Sequence, residues 1–200
     1  MPDPQDTPHL PDTPENARPF AGAAELESWL EKHHTERTGI WLKIAKRHSG
    51  VQSVSAAEVI DSVLCFGWID GQRKSFDEVY YLQRITPRRR RSPWSLINVE
   101  KVGALTEAGR MRAAGLAEVE LARADGRWES AYPSQSRATV PADLAAALEA
   151  NEPARLFYEG LGRSDRYLVL LRLMTATTPE VRAGRLQKAV ASLAAGRKIR

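Results

Sequence analysis

Cysteine is almost missing from this chain of 200 residues, since Cys65 is the only one. One cysteine cannot form an internal disulfide, and it excludes a metal site built from several cysteines. The four histidines do not take their place, because the adjacent His33 and His34 point apart on a predicted helix and no pair has metal-ligand spacing. We therefore predict no bound metal and no other cofactor.

Long apolar runs are missing as well. No stretch approaches the roughly 18 apolar residues that a membrane-spanning helix needs. The first residues lack the basic stretch and apolar block of a secretory signal, so we expect a cytoplasmic protein without membrane insertion. Three catalytic motifs are also absent: a phosphate-cradling glycine loop, a serine elbow and a metal-binding helix motif. These absences weigh against the common enzyme classes.

The composition that remains is that of a soluble globular protein. Hydrophobic residues make up 42% of the chain and charged residues 27%. The net charge is +4, and we attribute most of this mild surplus to four consecutive arginines at 88–91. Residues 1–19 hold half of the 12 prolines, with acidic and small polar residues between them. Such a segment buries too little apolar surface to offset its ordering entropy, so we predict a disordered tail.

Hydrophobic patterning predicts an α+β fold. Alternation over 40–45, and aromatic and β-branched enrichment over 68–76 and 79–86, predict a small antiparallel sheet of about three strands. A sheet of that size needs helices on one face for stability. One such helix begins at the capping box formed by Ser55 and Glu58.

The second half of the chain reads as helical. After residue 140 the sequence predicts four short apolar helices, which end at glycines such as Gly160 and Gly196. Their predicted starts are, in order, Pro141, Asn151, Ser164 and Thr178. We therefore predict an α+β domain over residues 20–133 and an all-helical C-terminal subdomain over residues 140–200.

The arginine run lies where the sheet should give way to helix. Ser92 followed by Pro93 is typical of a helix start, because serine caps and proline at the first helical position loses no needed hydrogen bond. Four guanidinium groups beside unsatisfied helix N–H groups would suit an anion. The candidate anion- or nucleic-acid-binding residues are Arg73, Lys74, Arg88, Arg89, Arg90, Arg91, Ser92, Trp94, Ser95 and Asn98.

Three interpretations of this run stay open. It could be a solvated connection, as many charged clusters on protein surfaces are. It could contact nucleic acid, with arginines on phosphates and Trp94, Tyr80 and Tyr81 stacking on bases. It could instead hold a small anion, a phosphate or a carboxylate, at the helix start of Ser92.

A second dense block, around Trp68 and Asp70, offers a different function. One interpretation makes Trp68 a core residue and Asp70 a turn residue or the partner of an arginine, and the other makes both of them residues of a pocket. The competing hypothesis is an enzyme pocket, whose residues would be Asp70, Arg73, Arg88, Trp94 and Asn98. Cys65 is a weaker candidate for a nucleophile, with His48 or Asp70 assisting, because a buried cysteine usually acts as a small apolar residue.

Several motifs together resemble the YdeI/OmpD-associated family, also called bacteriocin-protection proteins. They are Gly-Ile-Trp-Leu at 39–42, Cys-Phe-Gly-Trp-Ile-Asp-Gly at 65–71, Thr-Pro-Arg at 86–88, Ser-Pro-Trp-Ser at 92–95 with Asn98, Gly-Arg-Met at 109–111, Ala-Gly at 114–115, Asp-Gly-Arg-Trp at 125–128 and the helices over 140–196. The blocks at 65–71 and 86–98 are the most specific.

The resemblance implies a small α+β protein with a helical C-terminal subdomain, associated with bacteriocin protection and without a settled activity. Some descriptions place members in the periplasm, from which this chain departs because it shows no signal. Our leading hypothesis is a non-catalytic stress- or bacteriocin-protection protein that binds an anionic small molecule or nucleic acid through residues 73–98. A third hypothesis is a protein partner that docks on the C-terminal helices.

Overall fold

The computed structural model describes residues 13–199, which form two compact units. The first, which we call the sheet unit, holds the chain up to residue 92 and residues 98–129. The second, the helical unit, holds residues 93–97 and the chain from residue 130 onward. The predicted α+β class is confirmed, with strands confined to the N-terminal half and a helical C-terminal region.

The helices and strands follow the predicted order. The strands are β1 (Arg18–Pro19), β2 (Ile40–Ala45), β3 (Trp68–Ser75) and β4 (Tyr80–Pro87). The helices are α1 (Ala23–His33), α2 (Ala56–Cys65), α3 (Leu96–Glu107), α4 (Ala113–Ala124), α5 (Ala142–Glu149), α6 (Glu152–Gly160), α7 (Arg163–Met174) and α8 (Pro179–Ala194). Within the described residues, no helix is long and apolar enough to cross a lipid bilayer.

The sheet has the strand order β1-β2-β4-β3. β4 pairs antiparallel with both β2 and β3, which gives the three predicted strands. The fourth strand, β1, pairs in parallel with β2 and comes from the segment predicted to be disordered. For residues 13–19 that prediction was wrong, because Arg18 and Pro19 pair with Leu42 and Lys43 and thereby order the chain. Residues 1–12 of the predicted tail lie outside the described part of the chain.

The two faces of the sheet carry different side chains. The inner face holds Leu42, Ile44 and Ile85, all at most 2% exposed. Trp68 of β3 lies on the same face and meets Trp29 of α1 edge to face, with ring centroids 5.9 Å apart. The outer face carries a smaller apolar cluster of Ala17, Trp41 and Leu82.

Helix α4 packs on the end of α2 at a very short distance between their backbones. A Cβ atom added to Gly115 of α4 would lie 2.3 Å from the carbonyl oxygen of Cys65, the last residue of α2. The backbone N–H of Arg112 donates to the same oxygen at 3.1 Å. Only glycine fits at position 115, because side-chain atoms cannot approach a backbone oxygen so closely.

The helical unit is built around one apolar core, and arginine side chains connect its helices. Its fully buried residues include Leu144, Val169, Leu173 and Leu193, from helices α5, α7 and α8. The helix starts at Asn151 and Thr178 follow the prediction, since each side chain accepts a hydrogen bond from the backbone N–H three residues later. The third predicted start was wrong, because Ser164 lies inside α7, whose N-cap is Gly162.

Arginines bind carbonyl oxygens at the ends of these helices. Arg166 donates to the carbonyl oxygens of Leu161 and Glu159 at the end of α6, the first at 2.9 Å. Arg185 donates to the carbonyl oxygen of Arg172 near the end of α7 at 2.7 Å. These oxygens have no partner within their own helix, so the guanidinium groups satisfy acceptors that the fold would otherwise leave to water.

Candidate anion-binding site

The predicted helix start at Ser92 and Pro93 was wrong, because α3 begins three residues later, at Leu96. Ser95 instead forms an isolated parallel β-bridge with Tyr132. The N–H of Tyr132 donates to the carbonyl oxygen of Trp94 at 2.9 Å, and the N–H of Leu96 donates to the carbonyl oxygen of Tyr132 at 2.9 Å. This pairing uses the backbone groups that a helix start would have needed. Ser92 therefore offers no helix N-terminus to an anion.

The arginine run divides into one buried and three exposed residues. Arg88 is only 6% exposed, and its backbone N–H donates to the carbonyl oxygen of Gly67 at 3.1 Å. The next three, Arg89, Arg90 and Arg91, are exposed. They form a tight turn that closes where the N–H of Ser92 donates to the carbonyl oxygen of Arg89 at 2.8 Å. We call residues 88–92 the arginine turn.

A fifth arginine, Arg127, anchors the far end of the arginine turn. Its Nη1 donates to the carbonyl oxygen of Ser92 at 3.0 Å, while its Nε lies 2.8 Å from both carboxylate oxygens of Asp125. The Arg127 side chain is only 15% exposed. The backbone of the turn is thus held at both ends, by hydrogen bonds to Gly67 and to Arg127. Because this backbone is already ordered, it loses little conformational entropy when a ligand binds.

The exposed guanidinium groups have little local neutralisation. None of the ion pairs found among residues 13–199 includes Arg89 or Arg91. Hydrogen bonding from Arg127 lowers the pKa of the Asp125 carboxyl, and the charge of Arg90 lowers it slightly further. The turn therefore presents a concentrated positive charge to solvent.

Arg73 and Lys74 of β3 are both exposed, but they lie on opposite faces of the sheet. On the inner face, the Arg73 guanidinium stacks over the Tyr81 ring at 4.6 Å and its Nε donates to Oε1 of Gln83 at 3.2 Å. On the outer face, the Lys74 ammonium lies 4.9 Å from the centre of the Trp41 ring. One small ligand cannot use both residues.

The position of β3 also separates Arg73 from the arginine turn. Arg73 pairs with Gln83, which precedes Arg88 by five residues of extended chain. At a rise of about 3.4 Å per residue this is roughly 17 Å. A single phosphate, bound at hydrogen-bond distance, cannot span this gap, whereas a chain of phosphates can.

Asp70 lies between these two groups of cations, beside an irregularity in β3. The strand register shifts between Asp70 and Arg73, and the Gln83 amide donates to the carbonyl oxygen of Gly71 at 3.0 Å to hold the shifted backbone. Burial raises the pKa of the Asp70 carboxyl. A backbone hydrogen bond and the charges of Arg73 and Arg88 lower it in part.

The remaining predicted residues are not brought into this arrangement. Trp94 and Ser95 belong to the helical unit, and the Trp94 side chain is 1% exposed, so it has no free face for stacking. Trp68 is also buried, and its indole N–H donates to the carbonyl oxygen of His34 at 2.9 Å. Asn98 lies in the first turn of α3 and is half-buried.

The Cys65 thiol, which the sequence suggested as a nucleophile, is not in an environment that favours its reactive form. Cys65 is fully buried, and burial raises the pKa of its thiol, which disfavours the reactive thiolate. Among the described residues, no group of three histidine, cysteine, aspartate or glutamate side chains is arranged to hold a metal ion.

Sequence reasoning missed Arg127 and Gln83. Both act over long sequence separations, 35 residues from Ser92 and 12 from Gly71. Asp-Gly at 125–126 is a dipeptide typical of turns and helix ends, but no local pattern could identify the carbonyl oxygen that Arg127 would bind.

The attribution of most of the net positive charge to the four arginines at 88–91 was also wrong. Residues 130–200 hold eleven lysines and arginines against six aspartates and glutamates, so the surplus lies in the helical unit. The arginine turn is a local concentration of charge within a sheet unit that is otherwise rich in acidic residues.

Two family models match the chain. One, described as a domain of unknown function (DUF8412), matches residues 18–118, and the other, described as bacteriocin-protection, YdeI or OmpD-associated, matches residues 137–196. Searches of curated proteins and of solved structures gave no match. The resemblance seen in the sequence is confirmed for the C-terminal helices, whereas the motif blocks between residues 39 and 115 fall within the first match. Because that match spans just over half of the sequence, the chain belongs to the DUF8412 family, and it carries a bacteriocin-protection, YdeI or OmpD-associated domain at residues 137–196.

Proposed function

We propose that the sheet unit binds nucleic acid through the arginine turn, and that the protein does so in the cytoplasm without catalysing a reaction. The observation that carries this proposal is the anchoring of the turn by Gly67 and Arg127, which leaves Arg89, Arg90 and Arg91 exposed. Clustered guanidinium groups neutralise phosphates and release condensed counterions, and this release drives much of nucleic-acid binding.

The spacing of the cations favours a polyanion over a small molecule. Arg73 lies roughly 17 Å from the arginine turn along β4, a length over which about five phosphates of one B-DNA strand succeed one another. A small phosphorylated ligand would meet the turn alone and could not use Arg73 at the same time. The nucleic-acid proposal accounts for both sets of exposed charges.

A matched pair of triple variants tests the proposal. The first is Arg89→Ala with Arg90→Ala and Arg91→Ala. The control removes the same charge from three exposed residues of the helical unit, Arg163→Ala with Lys188→Ala and Arg197→Ala. Fluorescence anisotropy with labelled single- and double-stranded oligonucleotides gives the affinity of each variant.

We expect the first triple variant to bind about tenfold or more weakly at moderate salt, because three phosphate contacts are lost. The control should lose much less, and both should unfold at the temperature of the unchanged protein. Equal losses in the two variants would mean that total charge, rather than the arginine turn, sets the affinity. An unchanged affinity in the first variant would refute the proposal.

Asp70 supports an enzyme as a second candidate. A partly buried carboxyl with a raised pKa, flanked by Arg73 and Arg88, resembles the acid-base groups of active sites. If it acts on a phosphorylated substrate, inorganic phosphate should protect backbone amides around Asp70 from hydrogen exchange, and Asp70→Asn should abolish that protection. Protection confined to the arginine turn would count against this candidate.

For the helical unit we carry over the role in the description of its family, bacteriocin protection, as a proposal. Leu156, Leu168 and Val181 are exposed apolar residues on α6, α7 and α8, and Leu168 lines a cavity of about 570 Å³ with Ile199 and three charged residues. These features suit a protein partner. Expression of the full chain with and without Leu168→Asp in bacteriocin-sensitive cells tests it, and equal survival in both cultures would contradict it.

A further inference from the structure

The outer face of the sheet combines lysines with aromatic rings. The Lys74 ammonium lies 4.9 Å from the centre of the Trp41 ring, and the Lys43 ammonium lies 4.9 Å from the centre of the Phe76 ring. Lys43 and Lys74 flank Leu82 on neighbouring strands, so the two pairs are adjacent. Phe76 is 44% exposed, so part of its ring faces solvent. This face is separate from the arginine turn.

A short N-terminal segment covers part of this face. Residues 13–17, which we call the N-terminal arm, include a 3-10 turn over Pro14–Asn16. Ala17 packs on Trp41 and Leu82, which are 4% and 1% exposed as a result of burial in this cluster. The arm then continues into β1, whose two residues pair with β2. The arm therefore occupies one side of the face and leaves Phe76 uncovered.

The sequence of this region is acidic. Residues 1–16 contain Asp3, Asp6, Asp12 and Glu15 and have neither lysine nor arginine. Hydrogen bonds from the backbone and from Thr13 lower the pKa of the Glu15 carboxyl, and the nearby charge of Lys74 lowers it a little further. Ala17, two residues after Glu15, packs on Trp41, and the Lys74 ammonium lies 4.9 Å from the centre of the same ring, so the arm approaches the cation that a phosphate would seek on this face.

We propose that the outer face, with Phe76, Lys43 and Lys74, is a base-stacking site for single-stranded nucleic acid, and that the N-terminal arm competes for it through Glu15. This inference rests on the proposed nucleic-acid function and adds that the protein prefers single-stranded to double-stranded nucleic acid. A base would stack on the exposed Phe76 ring, and phosphates would take the place of Glu15 beside Lys74.

The chemistry of the face favours single strands over duplexes. Stacking on aromatic side chains requires a base whose face is free, and duplex bases already stack on one another. Lysines close to those rings supply the phosphate contacts that accompany stacking in single-strand grooves. Duplexes should depend on the arginine turn and Arg73 rather than on the outer face, because their backbone phosphates are reachable without unstacking.

Two changes in opposite directions test the inference. Phe76→Ala removes the exposed ring, and Leu121→Ala is its control, since Leu121 is a 53% exposed apolar residue on α4. Deletion of residues 1–16 removes Glu15 and the acidic sequence before it but keeps Ala17 and β1, and Glu15→Gln in the full chain is the milder version. Anisotropy with a single-stranded pyrimidine oligonucleotide and with a duplex of the same sequence is the measurement.

We expect Phe76→Ala to weaken single-strand binding by about tenfold, the value of one base stack, with duplex binding changed less than about twofold. Deletion of residues 1–16 should strengthen single-strand binding about threefold to tenfold, because it removes the Glu15 carboxylate and the negative charges of Asp3, Asp6 and Asp12. Glu15→Gln should change it in the same direction by a smaller factor, which keeps the test valid if the deletion lowers stability.

The outcomes separate this inference from the proposal on which it rests. If neither Phe76→Ala nor the deletion alters single-strand affinity while the triple arginine variant still weakens it, the inference is wrong and the arginine turn stands. If Phe76→Ala weakens binding and the arginine variant does not, the outer face is the site and the arginine turn is not. If neither the full chain nor the deletion variant binds any oligonucleotide, both proposals fail.

Discussion

The two units join their helices in different ways. In the sheet unit, α4 packs on α2 through Gly115, at a distance that leaves no room for a side chain. In the helical unit, guanidinium groups connect the helices: Arg182 joins α8 to α5 through Asp143, and Arg166 and Arg185 bind carbonyl oxygens at helix ends. The sheet unit also has an ion pair between helices, Lys101 of α3 with Asp61 of α2, so the difference lies in the close backbone contact at Gly115 and in the arginines that bind helix-end carbonyl oxygens.

This difference shows which arginines are available to a ligand. The helical unit holds the surplus of positive charge, yet several of its arginines already donate to protein oxygens. The sheet unit also has structural arginines, Arg110 on Glu27 and Arg127 on Ser92, but Arg89, Arg90 and Arg91 are exposed beside them. Position and hydrogen bonding, rather than charge count, indicate where an anion would bind.

The largest change in stability should come from a glycine substitution in the sheet unit, and a glycine substitution in the helical unit should have a smaller effect of opposite sign. Gly115→Ala places a Cβ atom 2.3 Å from the Cys65 carbonyl oxygen, so α4 must move off α2. We expect a loss of about 3 kcal/mol in the free energy of unfolding. Gly184→Ala in α8 meets nothing within 4 Å, and it should stabilise the protein by about 0.5–1 kcal/mol through helix propensity.

Denaturant unfolding of both variants is the measurement, and the opposite signs are the critical result. If Gly115→Ala were as stable as the unchanged protein, the close backbone contact between α2 and α4 would not exist in solution.

A smaller loss of stability should follow Arg182→Ala. Arg182 donates to both oxygens of Asp143, at 2.8 and 2.9 Å, and to the carbonyl oxygen of Leu173 at 3.0 Å. Both side chains are about one third exposed, so solvent screening limits the loss to about 1–2 kcal/mol. Arg163→Ala, at an exposed arginine of the same unit, is the control and should change the unfolding temperature very little. Equal effects of the two substitutions would argue against arginines as the connections between helices.

The same ion pair predicts how stability depends on pH. Hydrogen bonds from Arg182 lower the pKa of Asp143 below its ordinary 3.8, with burial opposing them. The unfolded chain therefore binds this proton more readily than the folded chain. The contribution is present above the ordinary pKa and is lost as pH falls through the lower folded value.

The free energy of unfolding, measured from about pH 6 down to about pH 2, should therefore fall less steeply for Asp143→Asn than for the unchanged protein. Other carboxyls with lowered pKa values, those of Glu58 and Glu180, contribute equally to both curves and cancel in the difference. Parallel curves would contradict the role assigned to Asp143.

The sequence predicted local features of the fold well. The capping box at Ser55 and Glu58, the strands around residues 40, 70 and 83, and the helix starts at Asn151 and Thr178 depend on neighbouring residues, and the structure has them. It failed at β1 and at the start of α3. Both are decided by backbone pairing with distant residues, Leu42 in one case and Tyr132 in the other, which overrides the local signals of proline and serine.

The candidate site was predicted only in its outline. The arginine run was identified from its charge, but its division into a buried Arg88 and three exposed residues depends on Gly67, which lies 21 residues earlier in the chain. The grouping of Arg73 with Lys74 failed for a simpler reason, since alternate residues of a strand point to opposite faces. That alternation could have been applied to the sequence directly.

The salt dependence of oligonucleotide binding tests the central claim most directly. The logarithm of the association constant is measured against the logarithm of salt concentration for the unchanged protein and for the triple variant at Arg89, Arg90 and Arg91. Three lost phosphate contacts should make the slope for single strands shallower by roughly 2, while the control triple variant at Arg163, Lys188 and Arg197 keeps the original slope. Identical slopes for all three proteins would contradict binding through the arginine turn.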